Sequence, residues 1–118
     1  MPSKITLYGI PNCDSVRKVR KWLEQKKIDY QFHDFRKDGL SRADLQRWTK
    51  VVDWETLLNR RGTSWRQLSE AQRADLNQAR ALNLMLEHPT LIKRPLLEQG
   101  KNVWVGVDLE RYEAELRA

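Results

Sequence analysis

Cysteine and histidine are scarce in this sequence, which narrows the kinds of site it can build. The 118 residues include one cysteine, Cys13, and two histidines, His33 and His88. A single cysteine excludes an internal disulfide, and too few ligands are left for a dedicated zinc site. We therefore expect no metal ion and no bound cofactor.

Long apolar runs are also missing. No stretch approaches the roughly 18 consecutive apolar residues that a membrane-spanning helix needs. The apolar run in the N-terminal MPSKITLYGI is too short for a secretory signal peptide. We expect a cytoplasmic protein that does not bind membranes.

Acidic residues are outnumbered by basic ones. The chain has 22 lysines and arginines against 16 aspartates and glutamates, which gives a formal net charge of +6. Such an excess favours an anionic partner: nucleic acid, a membrane surface or a small anionic ligand. The basic residues are spread along the chain, however, and no nucleic-acid recognition motif accompanies them. A solvated surface explains most of the charge, and we do not expect nucleic acid as a partner.

The residues that are present predict a strand, a helix and a second strand at the start of the chain. Residues 4–8 alternate between apolar and polar, and a glycine and a proline follow them. From Asp14 onward, apolar residues recur at spacings of three and four, as on one face of a helix. Residues 30–35 alternate again. The length of the intervening helix suits a parallel pair of strands.

Capping signals predict helices in the middle of the chain. Ser41-Arg-Ala-Asp44 has the spacing of a capping box, and Ser69-Glu-Ala-Gln72 repeats it. We expect the second box to open one long helix that ends before Pro89, with one face formed by Leu76, Ala79, Leu82 and Leu86.

The last third of the chain predicts a hairpin and a final helix. We predict two antiparallel strands, residues 96–98 and 103–107, around the turn at Gly100. Asp108 is predicted to cap the helix that follows them. The order β-α-β, helices, β-β-α is that of an α/β protein with a thioredoxin-like fold and a helical insertion between its halves. At this length we expect a single domain, residues 1–118. Its thioredoxin-like parts cover about 1–40 and 89–118, and the insertion covers about 41–88.

Cys13 lies where the first strand gives way to the first helix. Unpaired backbone N–H groups and the helix dipole favour a thiolate there, and cations lower the pKa of a thiol further. Arg17 lies one turn on, Asn12 helps to fix the loop, and Ser15 can donate a hydrogen bond. The alternative is that Cys13 is a small apolar residue of the first turn. Since Val16 stands where a resolving cysteine could be, an outside thiol such as glutathione must resolve any disulfide of Cys13.

Two segments resemble the arsenate reductase-like (ArsC) family. They are YGIPNCDSVRKVRKWL around the cysteine and LIKRPLLEQGKNVWVGVDLERY near the end. The family includes arsenate reductases, Spx-type transcription regulators and a YffB-like group, to which the pattern is closest. The resemblance implies that Cys13 is the nucleophile, that Arg94 binds an oxyanion and that Pro95 follows a cis bond. It also implies a middle arginine, for which Arg60 and Arg61 are both possible and Arg61 is favoured by its distance from Trp65.

The chain departs from the arsenate reductases at two places. Their third arginine falls where this sequence reads Val105-Gly106, and their serine three residues past the cysteine is Val16. Loss of a charge-assisted contact costs about 1.5 to 3 kcal/mol, so we do not expect efficient arsenate reduction.

The sequence therefore predicts an oxidoreductase, a glutathione-dependent thiol/disulfide reductase. Its expected partners are glutathione, as co-substrate, and a small thiol or disulfide substrate. One alternative is an arsenate reductase that uses glutathione and glutaredoxin. The other is an Spx-like regulator that binds RNA polymerase, although Val16 removes the Cys-x-x-Cys pair of such redox switches.

Overall fold

The structure is a computed structural model and describes residues 4–116. No helix within that range combines the length and apolar character needed to cross a bilayer. In chain order the elements are β1 (Ile5–Gly9), α1 (Asp14–Gln25), β2 (Tyr30–Asp34), α2 (Arg42–Thr49), α3 (Trp54–Leu57), α4 (Thr63–Arg66), α5 (Glu70–Arg73), α6 (Gln78–Glu87), a 3-10 turn (Pro89–Leu91), β3 (Leu96–Gln99), β4 (Asn102–Val105) and α7 (Leu109–Glu115).

These elements form two units. The first comprises the described residues up to Gly39 and those from Arg94 onward, and the second comprises Leu40–Lys93. The first unit is a four-stranded sheet in the order β2-β1-β3-β4. Strands β1 and β2 are parallel, whereas β1–β3 and β3–β4 are antiparallel. This arrangement confirms the predicted α/β, thioredoxin-like fold.

One buried cluster of the first unit lies between a face of the sheet and the helices α1 and α7. Alternate residues of β1 point to the same side as the apolar stripe of α1, which the periodicity predicted. Removing these side chains from water is the main stabilising contribution of the unit. The buried cluster consists of Ile5, Leu7, Val16, Val19, Leu23, Leu97, Trp104, Tyr112 and Leu116.

The second unit corrects one prediction about the helices. Both capping boxes form, at Ser41 and at Ser69. The second box, however, opens a helix of only four residues, because the chain turns extended at Ala74 and Asp75 then adopts a φ of 52°. A new helix, α6, begins after Asn77, whose side chain accepts a hydrogen bond from the N–H of Arg80. The single long helix was wrong, and its predicted face was right only in part. Leu82 is buried as predicted, but Ala79 is exposed, and the other buried residues of α6 are Ala81, Leu84 and Met85.

A close approach between β1 and α1 occurs at Gly9. A Cβ atom built on Gly9 would lie 2.7 Å from Cγ2 of Val16, which is shorter than a van der Waals contact. A side chain at this position would push α1 away from the strand. Glycine therefore sets how closely the start of the helix packs on the sheet.

We expect Gly9→Ala to lower the free energy of unfolding by about 1 to 3 kcal/mol, because the new methyl group overpacks this contact. Chemical denaturation followed by tryptophan fluorescence measures the change. Val16→Ala removes the methyl groups that the new Cβ would meet, so the two losses should be less than additive in the double variant. Strictly additive losses, or a Gly9→Ala protein as stable as wild type, would contradict this packing.

Candidate active site

Cys13 is the N-cap residue of α1. Its backbone is extended, with φ −103° and ψ 126°, and its carbonyl accepts the first helical hydrogen bond, from the N–H of Arg17 at 2.9 Å. The exposed turn at Pro11 and Asn12 leads into it from the end of the strand. The side chain is half-buried and packs against the core cluster. The sulfur therefore lies where the first-turn N–H groups have no intrahelical partner.

The surroundings of Cys13 stabilise a thiolate. Burial alone raises the pKa of the thiol, but the N–H of Val16, the hydrogen bond and charge of Arg94, and the N–H of Ser15 lower it by more. The net result is a pKa below the ordinary value for cysteine. The cysteine side chain makes no capping hydrogen bond. The amide groups therefore act on the anion that forms on ionisation more than on the neutral thiol.

Arg94 reaches this sulfur from the start of the third strand. Strand β3 pairs antiparallel with β1, with Leu96 opposite Tyr8, so the residues before Leu96 lie at the end of β1 that leads to Cys13. The Arg94–Pro95 peptide bond is cis, and the proline carbonyl accepts a hydrogen bond from the N–H of Gly106 at 2.8 Å. Sheet pairing thus brings the two parts of the sequence that resemble the family to one place.

Two predicted supporting side chains act differently from what we expected. The guanidinium of Arg17 lies 2.5 Å from the carboxylate of Asp14, and both side chains are exposed. The guanidinium that lowers the thiol pKa is that of Arg94, and Ser15 contributes through its backbone N–H. An arginine close in sequence has its own acidic partner, so spacing alone did not identify the cation beside the sulfur.

Arg60 and Arg61 belong to the second unit and have different surroundings. The Arg60 guanidinium lies 5.9 Å from the Trp54 ring centre, 5.7 Å from that of Trp65 and 4.0 Å from the carboxylate of Glu55. Within residues 4–116, no ion pair or side-chain hydrogen bond engages the Arg61 guanidinium, which is exposed. Arg61 is therefore the more available of the two for an anionic ligand.

The two arginines line a basic pocket of about 380 Å³ within the second unit. Its base is held by an isolated β-bridge between Leu58 and Ile92. Hydrogen bonds on either side of the bridge, at 2.7 and 2.8 Å, fix the backbone. Three cationic side chains and one carboxylate contribute to the lining, which consists of Glu55, Leu58, Asn59, Arg60, Arg61 and Lys93.

Sequence reasoning missed a buried polar pair in the first unit. The hydroxyl of Tyr8 donates to a carboxylate oxygen of Glu98 at 3.0 Å, and both residues are buried. The Tyr8 ring also lies 4.8 Å from the ring of His33. The signal was a glutamate in a strand that begins with two leucines, and sequence alone does not distinguish such a glutamate from an exposed one.

A thiol at the start of the first helix, beside a cis-proline segment on a mixed four-stranded sheet, defines a thioredoxin-like protein with one candidate nucleophile. The ArsC family model matches residues 8–115. The chain therefore belongs to the ArsC family and is related to the arsenate reductases.

Individual relatives agree with this assignment. The solved structure of the YffB protein is 47% identical, with a TM-score of 0.91, over 94% of this chain and 97% of that one. An arsenate reductase (ArsC) related protein from Brucella melitensis is 48% identical, with a TM-score of 0.76, over 94% and 92%. An uncharacterised protein of Haemophilus influenzae is 41% identical over 93% of this chain and 96% of its own. More distantly, the global transcriptional regulator Spx of Streptococcus mutans is 28% identical over 97% and 81%.

We expect Arg94→Gln to raise the pKa of Cys13, because the variant loses the positive charge beside the thiolate. The rate of alkylation by iodoacetamide should then reach its plateau at a higher pH than in wild type, and the rate at neutral pH should fall several-fold. Arg17→Gln should leave the profile in place, since its guanidinium is held by Asp14. Equal shifts in the two variants would contradict the assignment of Arg94.

Proposed function

We propose that this protein is a glutathione-dependent thiol/disulfide reductase that uses Cys13 as its only nucleophile. The observation that carries the proposal is the half-buried thiol whose pKa Arg94 and the helix amides lower. A thiolate near neutral pH is the reactive form in disulfide exchange. Val16 stands three residues on, where a two-cysteine enzyme has its second thiol, so an outside thiol has to supply it, and glutathione is the one that we propose.

The proposed reaction has two exchange steps. The Cys13 thiolate attacks the glutathione sulfur of a mixed disulfide, forming a Cys13–glutathione disulfide and releasing the substrate thiolate, which takes up a proton. A second glutathione, as its thiolate, then attacks the glutathione sulfur on the enzyme. Glutathione disulfide leaves and the Cys13 thiolate is restored. The net reaction consumes one reduced glutathione for each mixed disulfide, because the other half of the glutathione disulfide comes from the substrate.

Arg94 serves both steps, since Cys13 attacks as an anion in the first and leaves as an anion in the second. Its guanidinium also offers the planar donor pair that suits a carboxylate.

We further propose that Arg61 binds a carboxylate, supported by its exposed guanidinium in the basic pocket. Arg60 is the weaker candidate because Glu55 lies beside it. A cytoplasmic location, where glutathione is reduced, forms part of the proposal.

Two other functions are alternatives to the proposed disulfide reductase. Arsenate reduction with glutathione and glutaredoxin draws support from the Brucella relative, but Val105-Gly106 stands where the resemblance places a third arginine. A regulator that binds RNA polymerase draws support from the Spx relative, at 28% identity. A lone thiolate without a second cysteine argues against the redox switch of Spx-type regulators, whereas the argument against arsenate reduction is the missing third arginine.

The test is a coupled assay with a glutathionylated peptide, reduced glutathione, glutathione reductase and NADPH. Wild type should turn over, Cys13→Ser should be inactive, and Arg94→Lys should lower kcat/KM by about tenfold, since it loses the planar donor pair. Arg36→Lys, at an exposed arginine of the same unit, is the matched control and should retain activity.

Two results would overturn the proposal. One is the absence of disulfide reduction by wild type under any glutathione concentration. The other is arsenate reduction that depends on Cys13, glutathione and glutaredoxin and exceeds the disulfide rate, which would establish the first alternative.

A further inference from the structure

Gly106 is fixed by hydrogen bonds at both of its backbone polar groups. Its N–H donates to the carbonyl of Pro95 at 2.8 Å, and its carbonyl accepts from the hydroxyl of Tyr112. Tyr112 is fully buried, and burial raises its pKa to about 12, so the hydroxyl stays protonated and donates throughout the physiological range. These two hydrogen bonds therefore hold the backbone of Gly106 in place next to Pro95.

The space in front of Gly106 is empty. A Cβ atom built on it would have no heavy atom within 4 Å. The glycine has a φ of +82°, in the left-handed region, so its Cβ direction differs from that of a residue continuing strand β4. The backbone conformation and the missing side chain together leave an opening at the end of the strand.

This opening adjoins the segment that carries the reaction. Pro95, which accepts the hydrogen bond from Gly106, follows Arg94, and Arg94 contacts the Cys13 sulfur. Beside the glycine, Val105 is half-buried and Val107 is exposed, so apolar surface borders the opening. The opening is therefore one hydrogen bond away from Pro95, which directly follows the arginine that contacts the Cys13 sulfur.

We propose that Gly106 is a specificity-determining residue whose missing side chain admits the organic part of a disulfide substrate beside Pro95. The inference rests on the proposed function and deepens it by naming the substrate class: disulfides with a peptide-sized group on the sulfur. The prediction is that filling the opening slows large disulfides and leaves small sulfur reagents unaffected.

A stoichiometric reaction tests the inference without turnover. In one arm the Cys13 thiolate attacks oxidised glutathione, forming the mixed disulfide and releasing one glutathione thiolate. In the other arm it attacks the small reagent methyl methanethiosulfonate, forming a methyl disulfide and releasing methanesulfinate. Mass spectrometry of the protein gives both rate constants. Their ratio measures how much the size of the reagent affects its reaction with the same thiolate.

Gly106→Asn is the main variant, because asparagine tolerates the left-handed conformation better than other residues with a Cβ. Gly39→Asn is the matched control: Gly39 has the same φ of +82° and equally open space, but its carbonyl accepts from Nε2 of His33. Gly106→Ala adds a smaller group, so a graded response separates blocking of the opening from a general loss of folding.

We expect Gly106→Asn to slow the reaction with oxidised glutathione by about tenfold, with a smaller loss for Gly106→Ala and none for Gly39→Asn. The rate with methyl methanethiosulfonate should be unchanged in all three. Equal loss with both reagents, or no loss with either, would overturn the role of Gly106 while leaving the reductase proposal standing. A wild-type Cys13 that reacts with the small reagent but not with oxidised glutathione would overturn the reductase proposal as well.

Discussion

The interaction on which the rest of the site depends is the stabilisation of the Cys13 thiolate against the cost of its partial burial. Burial raises the pKa of the thiol, but the amide groups at the start of α1 and the guanidinium of Arg94 lower it by more. Neither contribution is available to an exposed cysteine in a loop. The fold supplies both, because β1 delivers the chain to the start of the helix and the antiparallel pairing of β3 with β1 returns Arg94 to the same end of the sheet.

The features around this interaction serve to hold it in place. Gly9 lets the start of α1 pack closely on β1, and Gly106 ties the end of β4 to the Pro95 carbonyl. A sulfur anion is sensitive to the direction of its donors, so the close packing of α1 on β1 bears on the reactivity of Cys13. The net charge of +6 includes exposed residues such as Arg17 that have acidic partners of their own.

The strand, turn and helix around Cys13 could be predicted because each depends on residues close together in the sequence. Periodicity identifies the buried stripe of α1, and the break at Pro11 marks where the helix can begin. The cation beside the sulfur could not be found in this way. Arg17 and Arg94 are the same residue type, and only the strand pairing decides which one reaches Cys13. The family resemblance supplied Arg94, whereas spacing favoured Arg17.

In the second unit, too, sequence-based prediction failed where the outcome depends on residues beyond the local motif. Ser69 carries a correct capping signal, but a cap fixes only where a helix begins, and Asp75 and Asn77 end one helix and start another. The role of Gly106 was likewise invisible, since its partners Pro95 and Tyr112 come from other elements. In each case the missing information is which distant groups the backbone meets, and that follows from tertiary structure.

The most direct measurement of the central claim is the ultraviolet absorbance of the Cys13 thiolate as a function of pH, in the folded protein and in the same protein unfolded by denaturant, with Cys13→Ser as the blank. Stabilisation by the helix and Arg94 requires the absorbance step of the folded protein to occur at a lower pH than that of the unfolded chain. Coincident steps, or a folded-state step at higher pH, would show that burial dominates and that the site holds an ordinary thiol.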